Sequence, residues 1–437
     1  MKKKKFLTVL SSAALFAGLL AGCGSDAEES AGGSGDGGEG ATLTLLIDNQ
    51  SSRASVEAVA DLVEEKHGIK TEFETRPGGT EGDNIVKTRL ATGDMSDLVY
   101  YNSGSLLQAL NPEQNFVDLT NESFMESVTD DFKQTVTVND KVFGAPASTV
   151  GVGGWFYNKK VYEELGLSVP KTWDELMANN EKIKAAGKTA VIGAYKDTWT
   201  SQVPVLADNH NVITEEPTFA EDFTANKAKF ATTPAALRSF EKLQEIHEGG
   251  YMNEDFLATT LDTGVKMLAE GTGVHYPMIS LAIPMIAQNY PDQMEDIGVF
   301  PQPGDSAETN GFTVWMPGAV YVNKNSENVD AAKKWVETLV SPEGVEAFLA
   351  AEKPEGPLAI KDTTLPDDVY GVVKDMLPYI NEGKVTPALE FLSPVKGPSL
   401  EQLTTEVGSG IKSAKEGAKA YDSDVEKQAK QLGLEGW

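Results

Sequence analysis

The order of apolar and polar positions early in the chain predicts alternating strands and helices. Residues 42–47 form an apolar, β-branched run that is typical of a buried strand. The helix that follows is indicated by apolar residues at helical spacing and is expected to end at Gly68. Those residues are Val56, Val59, Ala60 and Val63. Residues 69–74 alternate as a second strand, and strand, helix and strand in this order predict a parallel sheet.

The alternation continues into a second α/β region that starts near Gly151. We expect helices at 83–92 and 173–186 and strands at 97–101, 152–157 and 189–194. The second of these helices has Thr172 as its N-cap and Glu175 three positions later, the pattern of a capping box. The roughly 400 residues after position 40 leave room for two domains with sizeable cores.

Polar residues follow the first and third predicted strands. In an open α/β sheet, ligands bind at the carboxyl ends of the strands, so these residues are expected at one edge. They are Asp48, Asn49 and Gln50 after the first strand, and Tyr101, Asn102 and Ser103 at the end of the third. This edge is the first candidate binding site.

The first 22 residues have the pattern of a secretory signal peptide. Lys2–Lys5 precede an uncharged apolar stretch, residues 6–20, and small residues follow before Cys23. As a helix, the stretch would span about 22 Å, which is short of the roughly 30 Å hydrocarbon core of a membrane. The Leu-Ala-Gly-Cys sequence at 20–23 resembles the bacterial lipobox, which implies a diacylated Cys23 as the new N-terminus. Two acyl chains give stable membrane anchoring.

Composition excludes several kinds of partner. Cys23 is the only cysteine, so no intramolecular disulfide can form. Residues 23–40 contain this cysteine and a Gly-, Ser- and acid-rich segment that predicts a flexible tether. Without the signal peptide and its four lysines, 33 basic side chains face 66 acidic ones, a net charge of −33. Such a surface repels nucleic acid and anionic headgroups, so we expect membrane contact through the lipid anchor only.

The chain carries no complete catalytic or metal-binding motif. Residues 186–189 end like a Walker A loop, but Lys182 stands where that motif requires glycine. The four histidines show no HExxH spacing, and no DxDxDG or GxSxG sequence occurs. We therefore expect no cofactor, no metal and no catalytic residue. Folding could still bring two carboxylates together, so a lipid-anchored glycoside hydrolase remains an alternative.

Three aromatic residues in polar surroundings are candidate ligand contacts: Trp199, Tyr276 and Trp315. Aromatic rings offer rigid apolar faces with polar atoms at their edges, which suits sugar rings. The alternative for each is ordinary core packing. That alternative is our expectation for three other tryptophans, which lie on regular elements at core-like positions: Trp155, Trp173 and Trp335.

Several stretches together resemble the extracellular solute-binding proteins of sugar ABC transporters, the group that contains maltose-binding protein. The most specific are KVFGAP at 141–146 and GWFYNKK at 154–160, followed by VPKTWDEL at 169–176. Further similarity lies in RLATGD at 89–94 and AEG at 269–271. The resemblance covers essentially the whole chain after the tether. One departure is Tyr276-Pro277-Met278, where relatives commonly have Gly-Pro-Trp or Gly-Ser-Trp.

The resemblance implies a two-lobed periplasmic-binding-protein-like α/β fold with hinge crossings and a central ligand cleft. By analogy, residues 41–150 with about 299–323 form the first lobe, and about 151–298 with 324–437 form the second. The residues at the sheet edge match positions where relatives bind sugar. Trp199 matches the aromatic cluster of the second lobe.

The implied function is that of a monomeric substrate-binding lipoprotein. It would capture an extracellular carbohydrate, an oligosaccharide, by lobe closure and deliver it to the permease subunits of an ABC importer. Besides the hydrolase, the same fold could bind a phosphate ester or a polyamine. A basic cluster around Arg53 and Arg76 would favour the phosphate ester, and an acidic cleft lined by aromatics would favour the polyamine.

Overall fold

The computed structural model describes residues 40–437. The predicted signal peptide, Cys23 and the predicted tether up to residue 39 lie outside the described residues, so the expectations about them stay predictions. The strands are β1 (Thr42–Asp48), β2 (Lys70–Arg76), β3 (Leu98–Tyr101), β4 (Thr137–Val138), β5 (Lys141–Val142), β6 (Gly144–Pro146), β7 (Gly151–Asn158), β8 (Thr189–Val191), β9 (Gly273–Ile279), β10 (Ile297–Pro301), β11 (Phe312–Trp315), β12 (Ala319–Val322) and β13 (Val385–Pro387).

Helices cover much of the remaining described chain. They are α1 (Ala54–His67), α2 (Gly79–Thr92), α3 (Ser105–Gln108), α4 (Pro112–Asn115), α5 (Asp130–Thr135), α6 (Lys159–Leu165), α7 (Trp173–Ala185), α8 (Val203–Leu206), α9 (Asn209–Glu215), α10 (Phe219–Thr224), α11 (Pro234–Glu248), α12 (Leu261–Glu270), α13 (Ala282–Asn289), α14 (Val329–Leu339), α15 (Pro342–Ala351), α16 (Gly371–Asn381), α17 (Leu389–Leu392), α18 (Leu400–Gly408) and α19 (Ala414–Gln431). Short 3-10 helices lie at Ser123–Ser127, Thr198–Gln202, Pro291–Asp296 and Ala307–Thr309.

The first lobe contains a five-stranded sheet in the order β2-β1-β3-β12-β6. Strand β1 runs parallel to β2 and β3, which confirms the predicted βαβ unit, whereas β12 is antiparallel to both its neighbours. Helix α1 ends where expected, with Gly68 in the left-handed conformation that glycine adopts most readily. Its apolar stripe packs into the core of this lobe, which also contains Trp335.

The second lobe contains a mixed sheet in the order β13-β11-β7-β9-β8, with β10 also paired to β7. Every residue of β7 is buried, because helices or neighbouring strands cover the whole strand. Trp155 and Trp173 meet edge to face at 6.1 Å in the core, as expected for structural tryptophans. Thr172 caps α7 as predicted, but the carboxylate of Glu175 accepts from the Lys171 N–H, one residue before the cap.

An ion pair is buried within the second lobe. The Lys242 ammonium lies 2.6 Å from Asp208 Oδ1 and also donates to the Pro303 carbonyl at 2.9 Å. Both side chains are 1% exposed. The pair fixes α11 and the residues before α9 against the segment that follows β10.

The chain crosses between the lobes at positions that differ in part from those expected. The first crossing, between β6 and β7, lies where predicted. Strands β10 and β11 pair with β7, so residues 297–315 belong to the second lobe and not to the first. The second crossing is Met316–Gly318, after which β12, α14 and α15 return to the first lobe, so residues 324–351 belong to the first lobe and not, as expected, to the second. The third lies between Ile360 and Val369.

The misassignment has a simple physical reason. Strands β11 and β12 are both short, buried and four residues long, and only three residues separate them. Apolar pattern predicts that each is a strand, but it carries no information on which sheet each joins.

Candidate functional site

A cleft of about 350 Å³ lies between the two lobes. This volume falls in the range of roughly 300–1,000 Å³ that is typical of small-molecule sites. Its first-lobe wall includes Asp48, Gln50, Arg76, Asn84, Tyr100 and Asn102. Its second-lobe wall includes Trp199, Gln202, Ser280, Trp315, Glu390 and Glu401.

The turn after β1 directs Gln50 towards the second lobe. The Asp48 carboxylate accepts hydrogen bonds from the backbone N–H groups of Gln50 at 3.0 Å and Ser51 at 2.8 Å, and from the Ser51 hydroxyl at 2.8 Å. An aspartate that bonds the backbone two residues ahead stabilises a tight turn. Asp48 thus shapes this end of the cleft as well as lining it.

Gln50 connects the two lobes. Its amide oxygen accepts from the Trp199 indole N–H at 3.0 Å, and its amide nitrogen donates to Asp197 Oδ1 at 3.2 Å. The other oxygen of Asp197 accepts from the Leu261 N–H at 2.7 Å, at the start of α12. The lobes therefore touch at one side of the cleft. The Trp199 ring is partly exposed there, and its indole N–H fixes its position through the hydrogen bond to Gln50.

Trp315 forms a second aromatic wall at the end of β11. Its indole N–H donates to Glu390 Oε1 at 2.9 Å, and the other Glu390 oxygen pairs with Lys396 at 2.9 Å. The ring lies so close to Gly153 that any side chain there would collide with it. Because Gly153 of β7 has no side chain, the Trp315 ring can occupy this space against the strand.

Two of the expected site residues do not line the cleft but form hydrogen bonds to residues next to it. Tyr101 is fully buried and donates to Asp83 Oδ1 at 2.8 Å, and Ser103 donates to the Pro317 carbonyl at 2.9 Å. Asn102 is exposed and lines the cleft, whereas Asn49 is exposed outside it.

The expectation for Tyr276 is contradicted by its position. The residue lies within β9, 1% exposed, and its ring packs against Gly264 of α12 in the core of the second lobe. It does not line the cleft. Its polar neighbour in the strand, His275, is itself fully buried and hydrogen-bonded to Tyr162 and Asn180, so this aromatic is structural.

Two residues at the sheet edge were not among the expected site residues, although Arg76 was a candidate member of a basic cluster. Arg76 ends β2, is 4% exposed, lies 5.2 Å from the centre of the Tyr101 ring and donates to the Pro77 carbonyl at 3.0 Å. Tyr100 lines the cleft one position before the predicted Tyr101. Burial, with a smaller contribution from Asp48, raises the pKa of Tyr100 to about 12, so its phenol stays neutral and can donate a hydrogen bond. The rule that selected Asp48, position at the end of a parallel strand, could have found Arg76.

Charges of both signs line the cleft. The cations are Arg76, Lys87, Lys353 and Lys396, and the anions are Asp48, Asp83, Glu352, Glu355, Glu390 and Glu401. Within residues 40–437 no three His, Cys, Asp or Glu side chains are grouped so that they could hold a metal ion. The arrangement offers aromatic faces, hydrogen-bond donors and acceptors at short range.

Two α/β lobes, joined by three crossings around such a cleft, define the class of two-lobed binding proteins. Residues 48–346 match the sequence model of the bacterial extracellular solute-binding proteins. The chain belongs to this family. No helix in the described range, 40–437, is both long and apolar enough to cross a membrane.

Named relatives agree with this assignment. The chain is 25% identical over 291 residues to the multiple sugar-binding protein of Streptococcus mutans, covering 64% of this chain and 66% of that protein. The chain thus spans about two thirds of that relative's length. In structure, a chitin oligosaccharide binding protein superposes with a TM-score of 0.76 at 19% identity, covering 89% of this chain and all of that one. A sugar transporter of Bacillus licheniformis in complex with stachyose gives 0.71 at 20% identity, with coverage of 89% and 100%. At these identities the structural matches show the fold, which confirms the predicted architecture.

Proposed function

We propose that this protein captures an extracellular carbohydrate, an oligosaccharide, and delivers it to the permease of an ABC importer. The observation that carries the proposal is the pair of tryptophans on one wall, Trp199 and Trp315, facing hydrogen-bonding side chains on the other. Sugar rings have apolar C–H faces and polar rims, and such a cleft can satisfy both. The sugar-binding names of relatives support the same ligand class.

Lobe closure is the expected mode of capture. The lobes are joined by short crossings, one of them the three residues Met316–Gly318, and a few such residues can absorb the change in backbone angles of a hinge motion. The contacts of Gln50 with Asp197 and Trp199 would form as the cleft narrows. The permease would then bind the closed form of this monomer.

The alternatives receive less support. A phosphate ester would need clustered cations, but Arg76 and Lys396 are dispersed among acidic side chains and Lys396 is already paired with Glu390. A polyamine would favour the acids and aromatics, but it would leave Arg76 unmatched. A hydrolase is disfavoured because the family consists of binding proteins.

Location at the membrane is proposed on the sequence alone. The lipobox-like sequence before Cys23 supports a diacylated N-terminus after cleavage of residues 1–22. Substitution of Cys23 by Ser should release the protein from membranes or leave it unprocessed. Intact-mass analysis of the membrane fraction tests this, and a membrane-bound form without added acyl chains would contradict it.

The ligand class can be tested with the purified chain from residue 41 onward. Raffinose, stachyose and chitin oligosaccharides, with glucose 6-phosphate and spermidine as the other classes, are added in a thermal-shift assay. A ligand at about a hundredfold its dissociation constant stabilises the fold by roughly 2.7 kcal/mol, which corresponds to a shift of several degrees. Chromatography of the recovered saccharide should show it unchanged. A response to the phosphate or the polyamine alone, or release of shorter sugars, would contradict the proposal.

A further inference from the structure

An acidic residue that no sequence pattern singled out, Glu355, lines the cleft. Glu355 belongs to the segment that leaves α15 and runs beside the first crossing. This segment is fixed by a bridge between Thr149 and Leu358 and by a hydrogen bond from the Val150 N–H to the Pro357 carbonyl at 2.8 Å. The backbone position of Glu355 is therefore well determined, and its side chain lines the cleft.

Two buried oxygens meet no partner at this point. Among the described residues, neither Oε2 of Glu355 nor Oγ1 of Thr149 has a hydrogen-bond partner of ordinary geometry, although the Thr149 hydroxyl lies near enough to the Glu355 carboxyl to influence its pKa. The nearest lysine in sequence, Lys353, is directed elsewhere, since its ammonium lies 3.1 Å from the Asp368 carboxylate and over the Tyr370 ring. Buried polar groups in folded proteins are nearly always satisfied, so an unpaired carboxyl and hydroxyl that share a cleft indicate a missing ligand.

The groups around Glu355 are acidic or neutral. Glu352 lies on the same segment, and Tyr100 on β3 faces it with Asp48 beyond. Burial, and to a smaller extent Glu352, raise the pKa of Glu355 to about 7, and the Thr149 hydroxyl opposes them with a still smaller effect. No histidine lines the cleft within residues 40–437, so between about pH 6 and pH 8 Glu355 is the lining group expected to titrate.

We propose that Glu355 and Thr149 form a hydrogen-bonding subsite for hydroxyl groups of the captured carbohydrate. The inference rests on the proposed function and assigns part of its specificity. A carbohydrate hydroxyl donates to the Glu355 carboxylate, and a second ligand oxygen accepts from the Thr149 hydroxyl. Because hydrogen bonds to an ionised acceptor are about twice as strong as neutral ones, the bound sugar favours the carboxylate over the carboxylic acid.

The sign of the pH dependence follows from this preference. At a pH below the pKa of Glu355, the ligand-free protein must release the Glu355 proton before the carboxylate can accept a charge-assisted hydrogen bond from the sugar hydroxyl. We therefore expect the affinity for the saccharide to be about tenfold higher near pH 8 than near pH 6. This is the change expected when Glu355 must release one proton for each ligand bound below pH 7 and none well above it. A saccharide that prefers the protonated carboxyl would give the opposite slope.

Calorimetric titration with stachyose, raffinose and a chitin oligosaccharide at both pH values tests the subsite. Glu355→Gln should bind with the weak, low-pH affinity of the wild type and lose the pH dependence. Thr149→Val should bind more weakly at both pH values and keep the slope. Glu346→Gln, a change on the exposed face of α15, is the matched control and should behave as the wild type.

A ligand-free measurement keeps the test decisive. A carboxyl whose pKa is raised in the folded state contributes stability at low pH, and this contribution is lost as pH rises through about 7. The melting temperature of Glu355→Gln should therefore rise relative to wild type between about pH 5 and pH 8. If that difference stays constant, or if sugar binding is unaffected by pH and by Glu355→Gln, the subsite is refuted while carbohydrate binding stands. If none of the saccharides binds at either pH, the proposed function fails and the subsite with it.

Discussion

Substitution of Trp199 separates its possible roles in the cleft. The ring is partly exposed, its indole N–H donates to Gln50 at 3.0 Å, and only part of it packs on the core of the second lobe. A hydrogen bond of this kind contributes about 0.5–1.5 kcal/mol, and stacking by an aromatic ring a further 0.5–1.5 kcal/mol or so. Trp199→Phe removes the first contribution, and Trp199→Ala removes both.

These magnitudes translate into affinities. Trp199→Phe should weaken saccharide binding about fivefold, and Trp199→Ala by tenfold or more, since 1.4 kcal/mol corresponds to a factor of about ten. Titration calorimetry with the saccharide that gives the largest thermal shift measures both. Scanning calorimetry of the ligand-free variants should show only a small loss of stability, because the ring is not enclosed by the core.

Trp155 provides the matched comparison. It is fully buried in the same lobe, and truncation of such a tryptophan to alanine typically costs about 3–5 kcal/mol of stability. Trp155→Ala should therefore lower the melting temperature far more than Trp199→Ala. If Trp199→Ala unfolds as easily as Trp155→Ala yet binds saccharide with unchanged affinity, Trp199 is a core residue and the reasoning about the aromatic wall is wrong.

Three further predictions concern the interior of the second lobe. Lys242→Met should lower the free energy of unfolding in urea by about 3–5 kcal/mol, because it leaves the buried Asp208 carboxylate without its partner. Tyr276→Phe should leave both saccharide affinity and melting temperature nearly unchanged, since its buried hydroxyl has no hydrogen-bond partner within residues 40–437; a marked loss of affinity in calorimetry would contradict its position. Burial lowers the pKa of His275 to about 3, so the stability that the neutral imidazole contributes is present above about pH 6.5 and is lost as pH falls towards 3. The free energy of unfolding in urea should therefore fall less between pH 6.5 and pH 3 for His275→Gln than for the wild type.

The sequence predicts local elements of this fold well. Strand β1, helix α1 and its end at Gly68 follow from periodicity and from the conformational freedom of glycine, both of which are local properties. The N-cap at Thr172 is local in the same sense. Sheet membership is not local. The assignments of residues 299–315 to the first lobe and of 324–351 to the second were wrong, because pairing partners are set by where the chain crosses.

The candidate site shows the same division. Asp48 and Gln50 were predicted because the end of a parallel strand is a binding position in any open α/β sheet, and both line the cleft. Tyr101 was chosen in place of Tyr100, a shift of one residue, which in a strand turns the side chain to the opposite face. Glu355 carries no signal in sequence, since its segment is held beside the cleft by a pairing between residues far apart in the chain, Thr149 and Leu358. Their roles in ligand binding stay predictions.

The place of β12 in the first sheet has a consequence for how the new chain folds. This strand lies between β3 and β6, and β6 has no other partner among the described strands. Yet 170 residues separate Ser148, just after β6, from Gly318, just before β12. The first lobe therefore cannot complete its sheet or its core before the second lobe has largely been synthesised, which departs from the usual order in which N-terminal domains fold first. Pairings this distant in sequence also form slowly, so we expect the first lobe to reach its final packing only after α14 and α15 have been synthesised.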